Sequence, residues 1–425
     1  MKGIKFRLIV MNFLQFAVWG AYLTCMGTYL AIHGLESNIG VFYSIQGIVS
    51  IFMPALVGII ADRWIPAQKT LGLCHLISGA AMLGAAYYGL TTGDSVQFGP
   101  LFTLYSIAVA FYMPTLAISN SVAYNALDKA GLDTVKAFPP IRVFGTIGFI
   151  CTMWIVDLLG FQPTAAQFAV SGGIGIVLGL YSFTLPACPL NKADNTSFID
   201  KLGLRAFALF KDKRMAFFFI FSMLLGVSLQ ITNGFANPYI TSFGAIDKYA
   251  GTFGVEHANI LISLSQVSET LCILLIPFFL RRYGIKKVML IAMFAWVLRF
   301  GFFGLGNPGS GVWLFVLSCI VYGVAFDFFN ISGSLFVDKE TDQGIRSSAQ
   351  GLFFLMTNGI GATIGTLSAQ AIVNHYVYIP QAAGASPEMV ASGWQNAWFV
   401  FAAYALVVAV VFAIVFKYKH DPSKM

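Results

Sequence analysis

Charge is what this chain has least of. Only 10% of its 425 residues are charged, against about 25% in a soluble domain. That shortage excludes the two or three soluble domains that length alone suggests. Cysteine is thin as well. Cys25, Cys74, Cys151, Cys188, Cys272 and Cys319 form no CxxC pair, so neither a disulfide framework nor a zinc site is written here. Most of them fall in apolar runs and read as small hydrophobes. The five histidines (His33, His75, His257, His375, His420) are scattered and mark no metal cluster. A membrane-embedded enzyme needs a nucleophile–base pair or a metal cluster at helix depth, and none is visible. No metal or cofactor is implied. The glycines Gly172, Gly173 and Gly175 follow no strand. They read as a close-packing surface, not a dinucleotide loop.

Apolar side chains are what the chain has in excess: 58% of residues, with 41 Phe among them. Twelve apolar segments run roughly 6–32, 38–61, 70–91, 98–122, 139–160, 165–186, 215–243, 258–280, 287–305, 312–337, 345–373 and 392–416. About 20 such residues cross a bilayer. The expected fold is an all-α polytopic membrane protein of twelve transmembrane helices. Pro139 and Pro140 blur the start of the fifth segment, whose helix can begin further upstream. Lys2, Lys5 and Arg7 precede the first run as they would in a signal peptide. That run reaches Ile32 without a small-residue cleavage site, so it is read as the first spanning helix.

The net charge of +7 suggests a nucleic-acid partner until the charges are located. With the N-terminus placed in the cytoplasm, the inner segments hold 22 Lys and Arg and the outer loops hold one, Lys248. Arg142 and Arg299 lie inside apolar runs. So strong a bias fits an even number of spans with both termini cytoplasmic. The polar stretch from Cys188 to Lys213 divides the chain into similar halves. We therefore expect a six-helix bundle over 1–187, a cytoplasmic linker over 188–214 and a second bundle over 215–425, the parallel-repeat plan of major facilitators. Gly58, Asp62 and Arg63 after the second span, and Arg282, Gly284, Lys286 and Lys287 after the eighth, are partial copies of one loop signature. Ile141-Arg142 and Ile345-Arg346 echo each other in the same way. Asn195-Thr196-Ser197 matches a glycosylation acceptor but falls on the expected cytoplasmic side.

Within the spans, Glu269 is the one charge in the run from Ala258 to Leu280, and Asp327 is the one in Val312 to Val337. A carboxylate at bilayer depth costs about 2.5–3.5 kcal/mol on insertion scales. Such a group either serves a polar cavity or forms a buried ion pair, here with Arg142 or Arg299. Gln266 and Glu269 share a face at i, i+3, as do Gln230 and Asn233. Arg142, Thr146 and Phe149 follow i, i+4, i+7. Tyr322 and Phe326 are i, i+4, with Asp327 about 100° further round. Gln15 and Trp19 are also i, i+4. Amides, a phenol, a guanidinium, carboxylates and rings suit a neutral, hydroxylated solute with a flat ring. The bland readings stand beside these. Lone amides glue helices together, most Phe pack or face lipid, and Arg142 can snorkel to the inner interface. Arg299 either pairs with a carboxylate or reaches a water-filled space. A carboxylate that loads a proton outside and releases it inside would draw about 2.3 kcal/mol per 100 mV, enough to concentrate a solute about fiftyfold.

Longer strings are more specific. Phe13 to Gly20 (FLQFAVWG), Phe52 to Leu56 (FMPAL), Phe138 to Phe149 (FPPIRVFGTIGF), Gln230 to Asn233 (QITN) and Phe326 to Gly333 (FDFFNISG) resemble the nucleoside–proton symporters of the major facilitator superfamily. The likeness covers nearly the whole chain. It implies proton-coupled uptake of purine and pyrimidine nucleosides across a bacterial inner membrane, by alternating access. It also implies substrate contacts from Arg142, Thr146, Phe149, Gln230, Asn233, Gln266, Glu269, Tyr322, Phe326 and Asp327, with proton coupling at Glu269 and Asp327. Monomer is the superfamily default. Ser228 departs from the pattern, because the family leads us to expect an acidic residue there. The alternatives are a proton symporter for a sugar or another hydroxylated neutral solute, or an uncoupled nucleoside facilitator. A receptor or passive channel sits poorly with a duplicated twelve-span chain.

Overall fold

The computed structural model describes residues 3–190, 204–273, 275–341 and 345–418. Residues 191–203 of the expected linker, the Asn195-Thr196-Ser197 tripeptide among them, and His420 lie outside the described residues. Among the described residues the chain is helical throughout, with no strand. Nine of its helices are long and apolar enough to cross a membrane, and the shorter Ala166–Ser182 and Ala258–Ile273 are apolar too.

The helices fall into twelve spans in chain order. Span one is Ile4–Gly20 with Met26–Ile32, and span two is Ile39–Arg63. Span three is Ala67–Thr92, and span four joins Phe98–Tyr112 to Thr115–Lys129 across Met113 and Pro114. Spans five and six are Thr134–Leu158 and Ala166–Ser182. Span seven is Lys213–Leu229 followed by Ile231–Ser242. Span eight is Ala258–Ile273, continued by residues 276–283. Span nine is the rest of Ile276–Leu305. The two are parted at Gly284, whose φ of 73° is open to glycine at little steric cost. Spans ten, eleven and twelve are Val312–Glu340, the stretch from Arg346 to Val373, and Pro387–Val415. Span eleven carries a π-helical stretch at Leu355–Gly361, an irregularity that often marks functional helices. Span five begins at Thr134, upstream of Pro139 and Pro140, which both sit inside it.

The chain splits into two compact units. One comprises residues 1–38 and 48–198, the other 39–47 and 199–425. The first is cored by aliphatic side chains such as Leu8, Met11, Leu71, Val122 and Leu127, and Gly172 of span six packs on Gly79 of span three. The second is cored by rings. Trp398 stacks on Phe303 at 4.8 Å, and the buried Tyr239 hydroxyl donates to the Phe303 carbonyl at 2.8 Å. Much of the phenylalanine excess is interhelical packing here, worth about 0.5–1.5 kcal/mol per ring pair beyond area burial.

Polar bonds at the span ends respect strict alternation. In the first unit, Arg7 donates to the Thr184 carbonyl and Lys129 to that of Ala187. In the second, Arg214 pairs with Glu340, and Lys286 donates to the Ala413 carbonyl at 2.9 Å. Each bond joins ends that an alternating path puts on one side of the bilayer.

Candidate functional site

In the first unit the expected residues lie along span five. Because that helix starts at Thr134, Arg142 sits eight residues inside it, about 12 Å from its end. Its guanidinium lies over the Phe16 ring at 3.8 Å from the centroid. A cation–π contact of this kind contributes about 1 kcal/mol. Arg142 and Thr146 are half-buried and Phe149 is buried, 6.3 Å edge-on to Trp19. Trp19 also meets Tyr112 at 5.9 Å.

Gln15 differs from its expected role as a cavity group. Its side-chain amide donates to Thr115 Oγ1 at 2.7 Å, and its amide oxygen meets His75 Nε2 at 2.8 Å. The Tyr112 hydroxyl donates to the Gln15 carbonyl at 2.8 Å. Both ends of the amide are thus spent tying spans one, three and four. His75 is fully buried, and with the Gln15 oxygen as acceptor it carries its proton on Nε2.

In the second unit the expected residues come from spans seven, eight and ten. Gln230 sits at the break in span seven, between Leu229 and Ile231, and its Oε1 accepts from Asn233 Nδ2 at 2.8 Å. Both side chains are half-buried, as are Gln266 and Glu269 on span eight. On span ten, Tyr322 and Asp327 are buried and Phe326 is half-buried. Tyr322 and Phe326 stack, with centroids 5.4 Å apart and planes 16° from parallel.

Spans eight and ten meet backbone to backbone. The Ser268 hydroxyl donates to the Ile320 carbonyl. A Cβ at Gly323 would stand 2.5 Å from the Ser268 carbonyl oxygen, so only glycine fits. The helix that carries Glu269 and the helix that carries Asp327 are thereby held in close backbone contact at Ser268 and Gly323.

Arg299 of span nine is 2% exposed. Nη1 donates to the Ser318 carbonyl at 2.9 Å and to Ser265 Oγ at 3.3 Å, and Nη2 to Thr232 Oγ1 at 3.1 Å. Its guanidinium lies 4.3 Å from the Tyr322 centroid. No carboxylate is within ion-pair distance among the described residues. Of the two readings open to it from sequence, pairing with an acid is not the one adopted here. The signal was present, since Arg299 and Arg142 are the two cations outside the loops, but not its neighbours. Ser228 is 1% exposed, and its hydroxyl has no hydrogen-bond partner among the described residues. No group of three or more His, Cys, Asp or Glu capable of holding a metal occurs among the described residues.

Comparison with known proteins bears on what these groups do. The profile of the family described as "Nucleoside H+ symporter" matches residues 1–421. The xanthosine permease of Escherichia coli (strain K12) is 47% identical over 427 residues, covering 100% of this chain and 98% of that protein. The nucleoside permease NupG of the same organism is 47% identical over 422 residues, covering 98% and 97%. A crystal structure of NupG superposes with a TM-score of 0.87 at 46% identity, covering 99% of this chain and 100% of that one.

Proposed function

This chain belongs to the nucleoside H+ symporter family, and from that premise we propose how its residues hold a nucleoside and a proton. The protein is a multi-pass transporter of the major facilitator fold that takes up nucleosides together with protons. On our reading the amides of Gln230, Asn233 and Gln266 bond the nucleoside, and Phe149 or Phe326 stacks on the base. Arg142, Thr146 and Tyr322 fix its orientation. Glu269 and Asp327 also bind the solute, and at least one of them carries the proton.

The observation behind this reading is the junction of spans eight and ten. Ser268 and Gly323 bring two acid-bearing helices together, with the Tyr322–Phe326 stack on one of them and Gln266 on the other. A carboxylate withdrawn from water favours its protonated form, which makes a proton easier to load. We further infer a bacterial inner-membrane location with both termini and the linker 188–214 cytoplasmic, supported by the 22-to-1 distribution of basic residues. Bundles over 1–187 and 215–425 and a monomeric working unit complete the proposal.

Radiolabelled uridine uptake into proteoliposomes under an imposed pH gradient tests it. We expect accumulation above equilibrium with an acidic exterior, abolished by a protonophore and competed by nucleosides. Uptake that ignores the gradient would remove the proton role and leave a nucleoside facilitator. Competition by free sugars would point instead to a polyol symporter. The equal likeness to a xanthosine permease supports a second reading of the base preference, toward an oxidised purine. Xanthosine competing far better than uridine would select it.

A further inference from the structure

We propose that Arg299 is a positioning residue for nucleoside binding, one that sets the plane and donor strength of Tyr322 and locks the three helices around it. The inference rests on the site proposed above. It begins with an energetic oddity. Arg299 is a cation at 2% exposure that meets neutral groups: two hydroxyls, a carbonyl and rings. An apolar side chain would fill the same space without the desolvation that a guanidinium suffers. The charge is therefore better explained by what it arranges than by the stability it adds.

What it arranges is specific. Thr232 lies between Gln230 and Asn233 on span seven, Ser265 immediately precedes Gln266 on span eight, and Ser318 is one turn before Tyr322 on span ten. One guanidinium thus bonds a residue next to a candidate ligand on each of three helices. The bond to span ten is reciprocated, since Ser318 Oγ donates to the Arg299 carbonyl at 2.9 Å. Only a planar fork with five donors spans three acceptors in this way, and a lysine ammonium would reach fewer. The same plane lies over the Tyr322 ring at 4.3 Å. Trp296, one turn before Arg299, meets that ring edge-on at 6.0 Å. Phe326 stacks with it at 5.4 Å. Arg299, Trp296 and Phe326 thus hold the Tyr322 ring in one plane. A cation over the ring also draws electron density from the phenol, which strengthens the hydroxyl as a donor to a sugar or base oxygen.

The test uses the full-length protein in detergent, with uridine binding measured by calorimetry and melting measured alongside. The variants are Arg299→Lys, Tyr322→Phe and the double substitution. We expect each single change to weaken uridine about tenfold or more, with little change in melting for Tyr322→Phe. The double variant should be no weaker than the worse single, because the arginine acts through the phenol. Additive losses, or an Arg299→Lys that binds uridine normally, would overturn the proposal. If Arg299→Lys does not fold, Thr232→Val removes one tether while leaving the cation. It should weaken uridine about threefold with melting preserved, and unchanged affinity would count against us. Uridine affinity untouched by Tyr322→Phe would strike down the site reading itself, a result distinct from a failure confined to Arg299.

Discussion

The two halves of the chain support their candidate residues in different ways. In the first unit Arg142, Thr146 and Phe149 share one helix, and Gln15, His75, Thr115 and Tyr112 form a buried hydrogen-bonded network in the same unit. In the second, seven candidates are spread over three helices, one of them broken at Gln230, and a buried cation ties the helices together. Both intramembrane carboxylates of the candidate site are in the second unit. On our proposal, the contrast sets a hydrogen-bonded platform against the region that carries the proton.

The largest effect should come from the acids. Replacing Glu269 with Gln or Asp327 with Asn should collapse gradient-driven accumulation, about fiftyfold at 100 mV, toward equilibrium in at least one variant. Nucleoside exchange should persist in that variant, at reduced affinity. Uptake of labelled uridine with and without a pH gradient checks both halves of the statement. If each variant accumulates uridine as the parent does, neither acid carries the proton and the assignment of changing charge to the second unit falls.

Arg142 sharpens the comparison from the other side. Arg142→Lys keeps a cation but loses the planar stack on Phe16. The uridine KM should rise about tenfold, a loss near 1.4 kcal/mol, while the accumulation ratio stays at the parental value. An altered ratio at unchanged KM would move Arg142 into the coupling machinery. Ser228→Asp probes the position where this chain departs from the family pattern. A carboxylate there would enter a site with 1% exposure whose present hydroxyl has no hydrogen-bond partner among the described residues. The burial cost of a few kcal/mol should lower both melting temperature and transport rate. Parental stability together with a changed nucleoside preference would instead make position 228 part of the site.

The sequence was most readable where one physical signal dominates. Apolar run length gave the twelve spans, because a bilayer sets one length for all. The cost of intramembrane charge singled out Glu269 and Asp327. Helical spacing paired Gln230 with Asn233, and the structure bonds them directly. The breaks were less legible. Span seven parts at Gln230 without a Gly or Pro at that position, so the interruption follows from tertiary packing and not from local propensity. The start of span five was hidden by Pro139 and Pro140, because the first turn of a helix tolerates proline and its interior seldom does. Gln15 and Gln230 looked alike in one dimension. Each is a lone amide in an apolar run, and only long-range partners, Thr115 and His75 for one and Asn233 for the other, separate scaffold from candidate ligand.

That last distinction yields the smallest and most discriminating effect. Gln15→Ala leaves His75 Nε2 and Thr115 Oγ1 each short of a bond. His75 is fully buried, so its ring N–H cannot recover the loss from water. The expected cost is about 1–3 kcal/mol, seen as a melting temperature lowered by several degrees. The uridine KM should not move, because both ends of the amide already face protein. Gln230→Ala should show the reverse, with weaker uridine and little change in melting, since its oxygen has one short-range partner and its nitrogen is the free end of a half-buried side chain. If Gln15→Ala weakened uridine at parental stability, this network would be part of the substrate surface. The division of labour between the two units would then have to be redrawn.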